Sequence, residues 1–185
     1  IKTPQQIEGI RKAGVLNTDV LDYVSEHIRE GMSTLEIDKL VHDFTVEHGG
    51  TPAPLNYFGF PKSCCTSVND VVCHGIPCDW EILEEGDIVN VDVTTIVDGY
   101  YADASRMFVI GKTDAENQKL VDVAWECLKI GEKVCSEPYV CVGDLGSAIS
   151  KHAHKNGFSV VREYCGHGVG VEFHEDPEVE HVGKP

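Results

Sequence analysis

The chain has 185 residues, 31 acidic and 15 basic, for a formal net charge of −16. That balance excludes a duplex-DNA binder, whose contacts with phosphate need a basic footprint. No apolar run is long enough to cross a bilayer and no signal-peptide pattern opens the chain, so a cytoplasmic protein without a membrane partner is expected. The length suits one domain spanning 1–185. The eight cysteines form no C-x-x-C pair, which argues against a zinc ribbon or a thioredoxin-like motif, and the expected compartment argues against disulfides. Reduced thiols, most of them small core residues, are expected.

Thr3-Pro4-Gln5-Gln6 is a helix start with a capping box, and Pro4 suits the first turn. Ile7, Ile10, Ala13, Leu16, Val20, Val24 and Ile28 then recur at helical spacing. Ser33 to Glu36 is a second capping box. It opens a helix with Ile37, Leu40, Val41 and Phe44 inward, stopped by Gly49-Gly50. Thr113 to Glu116 reads as a third box, leading Leu120, Ala124, Cys127 and Leu128. A fourth helix is expected from about Asp144 to Asn156, with Leu145, Ala148, Ile149 and His152 on one side and Gly157 at its end.

A shift of 108 residues overlays the second helix on the fourth: Glu36 on Asp144, Ile37 on Leu145, Val41 on Ile149, Gly49 on Gly157. The first and third helices follow in the same order. A period this long means duplicated halves rather than a solenoid. In the first half a strand-rich region, Thr51 to Gly111, follows the second helix. In the second half only 28 residues follow Gly157, so the second half reads as incomplete.

The stretch "NVDVTTIVDGYYADASR" reads as a hairpin, with Asp98-Gly99 as its two-residue loop. That loop sets Val97 opposite Tyr100, Asp92 opposite Ser105 and Thr94 opposite Asp103. Asp92 and Asp103 are then diagonal neighbours on one face. Val91, Val93, Ala102 and Ala104 take the other, and alternation sends Arg106 there too. Two adjacent carboxylates repel unless a proton, a basic group or a cation intervenes. One or two divalent cations meet the charge requirement best. The plainer reading is two solvated aspartates on an exposed face.

"VVCHGIP" sets His74 after a short apolar strand, on a Gly-Pro turn; the plainer reading is a solvated turn histidine. In "VVREYCGHGVGVEFHEDPEV", Val160-Val161 reads as a strand and glycines flank His167, permitting close backbone approach. His174 lies seven residues on. In an extended chain that odd spacing places the two histidines on different faces, with different tasks. Two aspartates and a histidine form an O,O,N set suited to Mn, Fe(II), Co or Zn.

These motifs resemble the type I methionine aminopeptidases. "IKTPQQIEGIRKAG", "FGFPKSCCTSVNDVVCHGIP", "GDIVNVDV", "DGYYADASRMF" and "VVREYCGHGVGVEFHEDPEV" stand in the family's order and cover nearly the whole chain. The resemblance implies the α/β pita-bread fold, a pseudo-twofold duplication with an antiparallel sheet and flanking helices. It implies metal binding by Asp92, Asp103 and His167, with two divalent ions per complete site. It further implies that His74 hydrogen-bonds substrate near the scissile amide, that His174 helps stabilise the tetrahedral intermediate, and that Tyr57, Phe60, Cys65 and Phe173 line a methionine pocket. Metal-activated water then attacks the first peptide bond. The implied partners are peptides and nascent chains beginning with methionine, which places the protein near the ribosome.

Two departures stand out. Pro54 occupies a position where many bacterial members carry a pocket cysteine. The family's two glutamate ligands lie on later strands and would fall beyond Pro185, so the site reads as incomplete and the chain as truncated. A non-catalytic peptide-binding module and a prolidase-like dipeptidase are the alternatives to methionine removal.

Overall fold

The computed structural model describes residues 1–184. The chain forms two compact units, one from residues 1–113 with 169–173, the other from 114–168 with those from 174 onward.

In the first unit, α1 spans Pro4–His27 and α2 spans Thr34–Glu47. Both capping boxes form. The Gln6 amide N–H donates to Thr3 Oγ1 at 3.2 Å while the Thr3 N–H donates to Gln6 Oε1 at 2.8 Å. Ser33 and Glu36 repeat the exchange, and the Ser33 amide holds the Glu36 carboxyl below its ordinary range. Ala13, Leu16, Val20 and Val24 are buried along α1, with Ile37 and Val41 along α2. Leu40 and Phe44 pack partly buried against that core, whereas Ile7, one turn into α1, is exposed.

The first unit's sheet is antiparallel: β1 (Thr51–Pro52), β2 (Cys65–Val68), β3 (Ile88–Val97) and β4 (Tyr100–Val109). β3 is its spine. β4 pairs along its full length, β2 pairs with Val89–Asp92 and β1 with Thr95–Ile96. The hairpin register is the one its Asp-Gly loop dictates, with Val97 opposite Tyr100. Val89, Val91, Val93 and Phe108 enter the core beneath the helices. A buried hydrogen bond at 2.8 Å from Thr95 Oγ1 to Asn17 Oδ1 joins sheet to α1 on this side. Arg106 reaches Asp22 of α1 at 2.8 Å, so its charge is engaged away from the aspartate face.

The second unit contains α3 (Ala115–Cys135), α4 (Val142–Lys155), β5 (Gly166–Gly168) and β6 (Glu175–Val179). Two expectations need correction, the cap of α3 and the strand at Val160-Val161. The cap of α3 is Asp114, whose carboxylate accepts the N–H groups of Glu116 and Asn117; Thr113 instead donates to the Gly86 carbonyl. Aspartate binds these free amides more strongly than a hydroxyl does, because the helix dipole favours the anion. On α3 the buried residues are Val123 and Gly131, while Leu120 and Leu128 are exposed. Along α4, Leu145 and Ile149 approach Gly131 of α3 and His152 reaches Glu126 at 2.6 Å, as the one-sided spacing implies, yet the buried face is Gly146, Ser147, Ser150 and Ala153. Small residues are required there, since a methyl group on Gly146 would lie 2.6 Å from the Glu180 carbonyl oxygen. Val160-Val161 is not a strand; among the described residues β6 pairs with Gly166–Gly168.

The duplication is visible in the element boundaries. α2 and α4 begin and end 108 residues apart, and α1 and α3 end 108 residues apart. No helix among the described residues is long and apolar enough to cross a membrane. All eight cysteines are free thiols, but only Cys64 and Cys65 are buried, so most are not core residues.

Candidate functional site

The carboxylate pair comes directly from the hairpin register. Asp92 lies opposite Ser105 and Asp103 opposite Thr94, so both project from one face, and both are half-buried. β2 extends this face by placing Cys65 opposite Asp92. Across the hairpin, Thr94 Oγ1 donates to Asp103 Oδ1 at 2.8 Å and fixes that carboxylate's orientation.

The electrostatics of this face are recorded by its thiols. Burial, followed by the charges of Asp92 and Asp103, pushes Cys65 up to about 12. Cys73 is raised by burial and then by Asp92. Cys64 is raised further, by burial first and then by Asp38. Burial penalises a charge of either sign, so only the part of these shifts that comes from Asp92 and Asp103 reflects negative potential, and carboxylate oxygens are the donors a hard or borderline divalent ion takes. The donor set therefore fits a metal, although among the described residues no three His, Cys, Asp or Glu side chains are gathered as a cage. The pair supplies two ligands, with Thr94 as the supporting donor such ligands need.

His74 is exposed and lies in the left-handed region at φ 55°. The strand expected before it does not form: β2 ends at Val68, Asn69 turns the chain with φ 52°, and Val71 and Val72 face solvent. The next residue anchors His74 instead. Gly75 accepts the Thr66 N–H at 3.0 Å and donates to Ser67 Oγ at 3.2 Å. A methyl group there would lie 2.0 Å from the Thr66 carbonyl oxygen, so only glycine fits.

Of the expected pocket residues, Tyr57 and Phe173 meet with ring centroids 4.6 Å apart. Phe60 closes the 3-10 turn Tyr57–Gly59 by donating its N–H to the Tyr57 carbonyl at 2.9 Å. Phe173 also stacks on Tyr101 at 6.1 Å, and Tyr101 donates its N–H to the Gly170 carbonyl, tying residues 169–173 to β4.

In the second unit, His167 and His174 are neighbours, their ring centroids 4.2 Å apart. This corrects the expectation of separate faces. The chain reverses between them instead of running extended, Gly168 pairs with Glu175, and a bulge follows His167. His167 Nδ1 lies 2.9 Å from the Gly168 carbonyl oxygen. A carbonyl only accepts, so Nδ1 carries the proton and the lone pair belongs to Nε2, the tautomer a metal-ligating histidine uses.

Three supporting residues escaped the sequence reading. Thr94 was placed correctly but given no role. Tyr101, on β4, stacks on Phe173 and binds the Gly170 carbonyl. Asp38 is a buried carboxylate on α2 that accepts the amides of Ser63 at 2.6 Å and Cys64 at 3.3 Å, and so positions the start of β2 beside Cys65. Its position three residues before inward Val41, on the same helix face, was the available signal.

Comparison with known proteins agrees with this geometry. The model of metallopeptidase family M24 matches residues 8–185. Methionine aminopeptidase A of Synechocystis sp. is 47% identical over 180 residues, covering 97% of this chain and 71% of the relative. Methionine aminopeptidase 1 of Dictyostelium discoideum is 46% identical over 184 residues, and this chain spans only 50% of its length. The crystal structure of methionine aminopeptidase from Rickettsia prowazekii superposes with a TM-score of 0.95 at 43% identity, covering 100% of this chain and 73% of that one. The fold is accordingly the pita-bread fold, and the chain belongs to metallopeptidase family M24, among its methionine aminopeptidases.

Proposed function

We propose that the full-length protein removes the amino-terminal methionine from peptides and nascent chains, in the cytoplasm and close to the ribosome. The observation that carries this reading is the half-buried aspartate pair, held on one hairpin face in a chain of this family. Asp92, Asp103 and His167 serve as ligands for two divalent ions, with Mn, Co, Fe(II) and Zn all compatible with O,O,N donors. Once bound, the metal polarises the scissile carbonyl and lowers the pKa of water.

The remaining work falls to the chain's own groups. Tyr57, Phe60, Cys65 and Phe173 take the methionine side chain, and a thiol that stays protonated keeps that pocket uncharged and soft enough for a thioether. His74 hydrogen-bonds the substrate near the scissile amide. His174, beside His167, donates to the oxygen that gains charge as the tetrahedral intermediate forms.

The test is methionine release from Met-Ala-Ser by the full-length protein with Mn(II) or Co(II). Asp92→Ala is expected to abolish release. Retained turnover by that variant overturns the reading.

A further inference from the structure

We propose that Cys135 and Cys141 are a redox-modification site: a peroxide joins them in a reversible disulfide across the corner between α3 and α4. This inference is independent of the methionine-removal reading.

The contacts between the two helices fix which residues face each other. Cys127 on α3 donates its thiol to the Ile149 carbonyl on α4 at 3.8 Å. Four residues further along α3, a methyl group on Gly131 would lie 3.2 Å from Cδ1 of Leu145, four residues back along α4. Residues four apart share a helix face. The next step in the same ladder pairs Cys135, the last residue of α3, with Cys141, the N-cap of α4. One step from Cys127 the other way reaches Val123 and Ala153, both buried. A disulfide requires Cα atoms within about 7 Å. Gly131 stands one turn away and, with no side chain of its own, lets the two helix backbones approach.

Folding explains neither cysteine. Both are exposed, so they add little to the core. The 108-residue repeat sets His27 and Ser33 at the matching places in the first half. Ser33 caps α2 by accepting the Glu36 N–H at 3.2 Å. A thiol in that place on α4 is a weaker acceptor than a hydroxyl. Among the described residues no third His, Cys, Asp or Glu joins the pair as a metal cage, which leaves the two thiols to react with each other. In compartments that keep thiols reduced, such disulfides are transient and redox-sensing.

Hydrogen peroxide is the oxidant, and the atoms balance. One thiol sulfur attacks a peroxide oxygen; an S–O bond forms, the O–O bond breaks and water leaves, giving a sulfenic acid. The second thiol attacks that sulfur; the S–S bond forms, the S–O bond breaks and a second water leaves. A dithiol reductant reverses the product by exchange.

The test treats the full-length protein with hydrogen peroxide, digests it with trypsin and weighs the peptides. No Lys or Arg lies between Lys133 and Lys151, so one peptide, 134–151, holds both cysteines and no other. Its mass should fall by two hydrogens and return with dithiothreitol. The bond should form about tenfold faster in the folded protein than in urea, because the helix pair holds the thiols together. A peptide that only gains oxygen, a cysteine of the pair cross-linked to another peptide, or a bond that forms no faster folded than unfolded overturns the proposal.

Discussion

Thr94 donates its hydroxyl to Asp103 at 2.8 Å, across the same hairpin rung that sets them opposite each other. One residue thus lies beside the proposed ligand in the ladder and orients it. Thr94→Val keeps the shape and removes the donor. We expect it to weaken Mn(II) binding by about 10- to 100-fold, the usual effect of losing a ligand's supporting hydrogen bond. Isothermal titration of the full-length protein measures this, and unchanged affinity would show that the bond is irrelevant to the metal.

Gly75 is packed against the Thr66 carbonyl. Gly75→Ala must push the His74 turn away from β2. The expected cost is about 1–3 kcal/mol of stability, as for other forced overpacking. Loss of methionine release should be disproportionate to that cost, because His74 moves with the turn. Denaturation midpoints and kcat, compared on the same preparation, separate the two effects.

Thr66 carries the buried side-chain oxygen that has no hydrogen-bond partner among the described residues. A buried hydroxyl without a partner is a penalty with no compensating bond. Thr66→Val, nearly the same volume, should stabilise the protein by about 1 kcal/mol. A fall in the urea midpoint would mean that the hydroxyl is satisfied in solution.

Glu36 gives a pH prediction whose sign follows from its capping box. Its carboxyl is held below the ordinary value by the Ser33 amide. Its contribution is therefore present above the unfolded carboxylate pKa of about 4.3 and is lost as pH falls through the lower folded value. The stability difference between the native sequence and Glu36→Gln should be present at neutral pH and vanish in acid. Urea titrations across that range test it, and a constant difference would contradict it.

The first half was legible because its signals are local. Two reciprocal capping boxes and an Asp-Gly loop fix helix starts and strand register without long-range information, and the aspartate face follows from register alone. The errors lie where a distant partner decides the outcome. Val160-Val161 has strand-like residues but no strand beside it among the described residues. His167 and His174 meet because the chain turns back between them, which spacing rules for an extended segment cannot register. On α4 the backbone at 180–182 comes so close to Gly146 that no side chain fits there, a contact that the helix's own spacing does not announce.

The matching helix ends carry a consequence for engineering. In each half, six residues join one helix to the next: 28–33 between α1 and α2, and 136–141 between α3 and α4. Their sequences, IREGMS and SEPYVC, are identical at no position. The two connectors are therefore interchangeable parts in length, and a chimera that trades them keeps every downstream residue in frame. Any loss of fold in such a chimera would report on the connector's own chemistry, the Ser33 cap together with buried Met32 and its backbone pairing to Leu83, and not on spacing.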